Sequence, residues 1–293
     1  SNFLEEQKDS FSKLKAFVER NRIIEADGFE PGDASGKDPV FNFVNFTNYH
    51  FYSLSPVGPQ VDLIEELLGR IVHESRHNPI FQAYQWVNTQ PWAGQCPVKA
   101  NYEFLMHAPF RKVIASLLVS CLVKEKQIIS FRQVLNFIYD LLVPFQLAQT
   151  DLKKYLNLTQ ALSTEERVQF LTPFYLFENP KLSKIFFNLY QLDPAIRRYE
   201  ALDERSILLF TDAEPLSWLN QEFRQILTRP LDLKPNERIR HELLIKAYLR
   251  FNYFKNPAAE IYQDDHFLEY TKALFAFNTN DALGLRSIIE LVK

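Results

Sequence analysis

Glycine is scarce in this chain, with seven among 293 residues. Loops that cradle phosphate through their own backbone need glycine at several positions, so composition argues against a self-contained nucleotide site. Cysteine is scarcer still: Cys96 and Cys121 are the only two. Two cysteines this far apart provide neither a disulfide framework nor a zinc spacing, and a reducing cytoplasm is the expected compartment. No apolar run approaches the ~18 residues that span a bilayer. No basic segment leads into an apolar one as in a secretory signal. A soluble chain without membrane contact is therefore expected. An excess of one charge is also missing. With 33 basic and 36 acidic residues the net charge is -3, which disfavours a surface that grips nucleic acid everywhere. A local basic face stays compatible with that balance.

What the chain does have is apolar residues at helical spacing, enough for one large core or two smaller ones. The strongest stretch runs from Arg111 to Pro144. Val113, Ile114, Leu117, Leu118, Cys121 and Leu122 mark one helix, and Phe131, Val134, Leu135, Ile138, Leu141 and Leu142 a second. Cys121 falls on the apolar face, where cysteine acts as a small hydrophobe. Ser130 and Gln133 form an S-x-x-Q capping box that fixes where the second helix begins. Arg132 then falls in the first turn, next to the positive end of the helix dipole, where a cation is mildly disfavoured. An anion nearby would relieve that conflict.

Elsewhere, residues 10–24 read as an amphipathic helix, and the polar run from Glu25 to Pro39 as a loop. Val40 to Phe51 alternates aromatic and polar residues and is the best strand candidate, broken by the prolines and glycine of Leu54 to Gln60. Asp62 to His73 is helical in pattern, and Asn78 to Gly94 is aromatic-rich and irregular. From about residue 150 the chain reads as helical, with Ser163 and Glu166 as a second capping box. Pro180, Pro194, Pro215 and Pro235 each precede a periodic run, as prolines in a first helical turn would. Ile207 to Phe210 offers an alternative strand. The ends, Phe3-Leu4-Glu5 and RSIIELVK, lack the look of natural termini, and a fragment of a longer protein is expected.

Two motif-like stretches fail on their chemistry. Pro31 to Asp38, PGDASGKD, has proline at the first glycine position of a phosphate loop and aspartate where a magnesium-binding hydroxyl belongs. No helix follows to point at a phosphate. His73 to His77, HESRH, meets the H-E-x-x-H pattern of a zinc protease, but that motif needs a continuous helix and a third ligand. Asn78-Pro79 ends a helix there, so a frayed helix end is expected and no metal site. Asp264 and Asp265 read as solvated carboxylates. Residues 222–255 carry eight basic against four acidic residues, interleaved with Tyr248, Phe251, Tyr253 and Phe254. Such a mixture fits phosphate contact with base stacking, and equally a solvated basic face over buried aromatics. Arg238, Arg240, Lys246 and Arg250 are the candidates for contact with DNA or a partner.

Taken in order, a helix, the strand FNFVNFTNY, a proline-interrupted turn, the helix VDLIEELLGRI and the central helix pair resemble the downstream part of an AAA+ ATPase. More specifically, FSKLKAFVERNRIIE, FVNFTNYHFYSL, NPIFQAY, CPVKANYEFL and VKEKQIISFRQVLNFIYDLLVP resemble the DptF family, the ATPase-like component of bacterial DNA phosphorothioation-dependent restriction systems. The resemblance implies a mainly α fold, an AAA+-like lid and C-terminal helical region with one or two isolated strands. It implies residues 1–60 as a remnant of the ATPase core, 61–148 as a lid-like domain and 149–293 as a truncated helical domain. By the same resemblance Arg132 matches a nucleotide-sensing arginine, and Arg20 and Arg22 match arginine fingers into a neighbouring subunit. The phosphate-binding motifs of that family lie upstream of Ser1. ATP and magnesium are thus expected in the full-length parent and not in this fragment, which is expected to be inactive alone. Implied partners are other subunits of the restriction complex, DNA and a homo-oligomeric neighbour, in bacterial defence against foreign DNA lacking the phosphorothioate mark. The alternative is a helical interaction module with no nucleotide role.

Overall fold

The computed structural model describes residues 12–20, 50–126, 129–143, 152–196, 241–255 and 264–286. The chain divides into two units, Ser1–His50 and Phe51–Lys293. In the first, α1 covers Ser12–Arg20. The strand expected over Val40 to Phe51 lies almost wholly outside the described residues, as do the 25–39 loop, Pro215, Pro235 and Ile207 to Phe210.

The second unit is mainly α-helical, with a single two-stranded antiparallel sheet among its described residues. That sheet falls where the sequence suggested a break. β1 (Ser53–Ser55) pairs with β2 (Gly58–Gln60) in the register Ser53 to Gln60, Leu54 to Pro59 and Ser55 to Gly58. Pro59 is tolerated because a hairpin strand has a free edge. Gly58 supplies the backbone angle φ of 123° that the turn needs, and Ser55 Oγ donates to its carbonyl at 2.7 Å. A hairpin this short is marginal by itself; here it is covered by α12 (Asp265–Asn278).

The helical body follows from α2 (Asp62–Ile71), α3 (Pro79–Asn88), α4 (Pro97–Met106), α5 (Ala108–Lys124) and α6 (Phe131–Leu142). After these come α7 (Leu152–Leu158), α8 (Thr164–Gln169), α9 (Thr172–Glu178), α10 (Lys184–Gln191) and α11 (His241–Lys255). Proline does open helices, but at Pro79, Pro97, Pro109 and Pro173. Pro180 and Pro194 instead occupy turns on either side of α10, whose cap is Ser183. The aromatic stretch after Asn78 is helical because Asn78 serves two helix ends. Its Oδ1 accepts from Ile80 N and Phe81 N, and its Nδ2 donates to the carbonyls of Ile71 and His73.

α5 is the axis of the body. Val113, Ile114, Leu117, Leu118, Cys121 and Leu122 are buried as the spacing predicts, but so are Phe110, Ala115, Val119 and Val123. A helix apolar all round belongs inside. Accordingly α2, α4, α10 and α11 all pack on it. Each buried branched side chain contributes about 1.5–3 kcal/mol, and Leu118, fully buried, would cost about 2–5 kcal/mol as alanine. α6 lies chiefly against α4 and α9. Helices on both sides of residue 148 therefore share one core.

Candidate functional site

The first turn of α6 is built as the capping box requires. Gln133 N donates to Ser130 Oγ at 3.3 Å, and Ser130 N donates to Gln133 Oε1 at 2.7 Å. Val134, Phe137, Ile138, Leu141 and Leu142 anchor the helix in the core, so the turn stands on a rigid base. Phe131 stacks on Phe51 with ring centroids 6.0 Å apart. Arg132 follows on the exposed side, and among the described residues no hydrogen bond or ion pair holds it. Leu135 and Tyr139, three and seven residues on, share its helix face and are 45% and 49% exposed. The outer face of α6 is thus one cation followed by two uncovered apolar side chains.

The other arginines fare differently. Arg20 closes α1, but its side chain, like Arg22, Arg238 and Arg240, lies outside the described residues. Lys246 is half-buried and reaches Glu178 Oε1 at 3.3 Å. Arg250 is a correction: it is 1% exposed and faces inward, so it has no surface to offer DNA or a partner. Its Nε donates to Asp193 Oδ1 at 3.0 Å and its Nη2 to Asp193 Oδ2 at 2.5 Å and Glu178 Oε1 at 2.7 Å. The guanidinium lies over the rings of Phe174 and Phe177, 5.0 and 5.6 Å from their centroids. Burial alone would lower its pKa, but the hydrogen bond and charge of Asp193, and then Glu178, more than offset this and raise it. Burial pushes the Glu178 carboxyl up, while Arg250 and Lys246 together hold it below its ordinary value.

His73 and His77 are not on a common helix, since α2 ends at Ile71, even before the first histidine. Without that helix the two rings lose the one-turn alignment that a zinc-protease motif needs. Among the described residues no group of histidine, cysteine and carboxylate side chains is arranged to hold a metal ion. Both face an open polar cleft along α2, whose lining mixes Asp62, Glu65 and Glu66 with Arg70 and Arg111. Its charges are already answered in part: Arg70 bonds Glu66, and Arg111 Nη1 donates to the carbonyls of Leu105 and Met106. Asp264 is no idle solvated carboxylate, as it caps α12 through Phe267 N and pairs with Lys124 at the end of α5.

Sequence reasoning missed Asn101, Thr172 and Asp193, buried polar groups that join the helices, and Glu178, a partly exposed carboxylate that does the same. Asn101 had a signal: it shares a helix face with Pro97 and Leu105, both buried, so a polar residue there must find partners inside. Comparison with protein-family models, with curated proteins and with solved structures returned no match.

Proposed function

We propose that this chain is the nucleotide-responsive helical part of a P-loop ATPase subunit that acts in restriction of DNA lacking phosphorothioate modification. The observation that supports this is Arg132: an exposed guanidinium in the first turn of a helix whose other face is sunk in the core. A phosphate held there would meet the guanidinium and the free N–H groups of the turn together. A domain carrying the Walker motifs, with ATP and magnesium, would supply that phosphate. Arg20 and Arg22 would reach a neighbouring subunit's nucleotide, and Arg238 and Arg240 would contact DNA or another subunit of the complex, in the cytoplasm. The encoded sequence upstream of Ser1 tests the reading. It should contain G-x-x-x-x-G-K-[ST] and, beyond it, an acidic strand end; finding neither would end the ATPase reading. Residues 1–293 alone should hydrolyse no ATP.

A second reading, a helical interaction module with no nucleotide role, draws support from Leu135 and Tyr139. Two large apolar side chains uncovered on one face of α6 suit a protein partner, with Arg132 pairing a partner carboxylate at its edge.

A further inference from the structure

α9 is short, deeply buried and tied at both ends by side chains from other helices. Phe174, Tyr175, Leu176 and Phe177 have almost no exposed surface. At its start, Asn101 of α4 accepts from Thr172 N at 2.7 Å through Oδ1. Asn101 Nδ2 donates to the carbonyl of Phe170 at 2.9 Å and to that of Leu141 at 3.3 Å. Thr172 Oγ1 adds a 3.4 Å bond to the same Leu141 carbonyl. That carbonyl belongs to the last turn of α6, where helix carbonyls have no partner of their own. At the far end of α9, Glu178 is held by Arg250 and Lys246 of α11.

The joint at Asn101 is buried and admits few geometries, because an unmet donor or acceptor there costs about 1–3 kcal/mol; at the other end Arg250 is buried while Glu178 stays partly exposed. Close-packed cores also transmit displacement rather than absorb it. A shift of α6 therefore either breaks the joint at Asn101 or carries α9 with it, and α9 is fixed to α11. We propose that α6, α9 and α11 form one coupled unit with Asn101 as its joint, linking α6, which carries Arg132 in its first turn, to the helix that ends the basic segment. The coupling stands on the hydrogen bonds and ion pairs at the two ends of α9 alone. Its use as a relay from a nucleotide phosphate rests on the role proposed for Arg132.

Amide hydrogen exchange on the whole chain tests it without any nucleotide. Asn101→Asp keeps the acceptor for Thr172 N and removes both donations. Exchange in the last turn of α6 and throughout α11 should quicken by about tenfold or more, while α2 and α12 keep their rates. Arg250→Lys, at the opposite end, should in turn quicken the last turn of α6. Unchanged α11 rates in Asn101→Asp would overturn the proposal, because the joint would then be purely local. A rise in α2 and α12 equal to that in α11 would overturn it too, as uniform loss of stability. Should Asn101→Asp fail to fold, Thr172→Val, which removes only the Oγ1 bond, is read by the same criteria. Arg132→Ala should leave this exchange pattern as it is. A failed nucleotide role and a failed coupling would thus be told apart.

Discussion

Arg250 of α11 grips Asp193, just beyond α10, with two hydrogen bonds in a place where each residue is 1% exposed. A buried ion pair is costly to desolvate and costlier to break. Replacing either partner alone, as in Asp193→Ala or Arg250→Ala, should destabilise the chain by about 3–5 kcal/mol in denaturant unfolding. An apolar pair in both positions, Arg250→Met with Asp193→Leu, should recover most of that loss. A double variant as unstable as the sum of the two singles would contradict this description.

The same cluster sets a pH dependence. Glu178 is held below its ordinary value of 4.5 when folded, so the folded state binds its proton less readily than the unfolded chain. Its contribution to stability is complete above the unfolded value and is lost as pH falls through the lower folded one. Unfolding midpoints measured from pH 6 downward should decline less steeply in Glu178→Gln than in the parent chain. Identical slopes would mean that the carboxylate is not held as described.

The capping box of α6 should carry about 1 kcal/mol, so Ser130→Ala should lower stability by about that amount in chemical denaturation. Arg132→Ala, an exposed change in the first turn of the same helix, should shift it by less than about 0.5 kcal/mol. Equal losses would mean that Arg132 is part of the structural cap.

Both thiols are buried, and burial pushes the Cys121 thiol up to about 12. Neither thiol should react with an aromatic disulfide reagent in the native chain at pH 8, and both should react at once in guanidinium. Rapid native labelling would show that the α5 core opens.

Much of the helical body was legible because apolar spacing and capping chemistry are local. The two capping boxes at Ser130 and Ser163 form as the sequence implies, and Val134, Ile138, Leu141 and Leu142 of α6 are buried as the spacing predicts, although Phe137 is buried where Leu135 was expected and Leu135 is exposed. The hairpin was not legible, because its turn residues look like a mere break and its stability comes from α12, two hundred residues away. Prolines misled at Pro180 and Pro194 because a proline marks a chain turn as readily as a first helical turn. Arg250 was misplaced for a different reason. Basic and aromatic residues interleave in a core stripe just as they do in a nucleic-acid surface. Leu243, Ala247, Arg250 and Phe254 recur at helical spacing and all are buried, so its position in that stripe was the overlooked sign. Its carboxylate partners lie 57 and 72 residues away in sequence, which no local pattern reveals.

ATP turnover by the intact parent protein, compared between wild type and Arg132→Ala with thermal unfolding followed in parallel, bears most directly on the proposed role. A nucleotide-sensing Arg132 predicts a fall of about tenfold or more with an unchanged unfolding midpoint. Full turnover in a variant that folds normally would contradict it and leave the outer face of α6 to a protein partner.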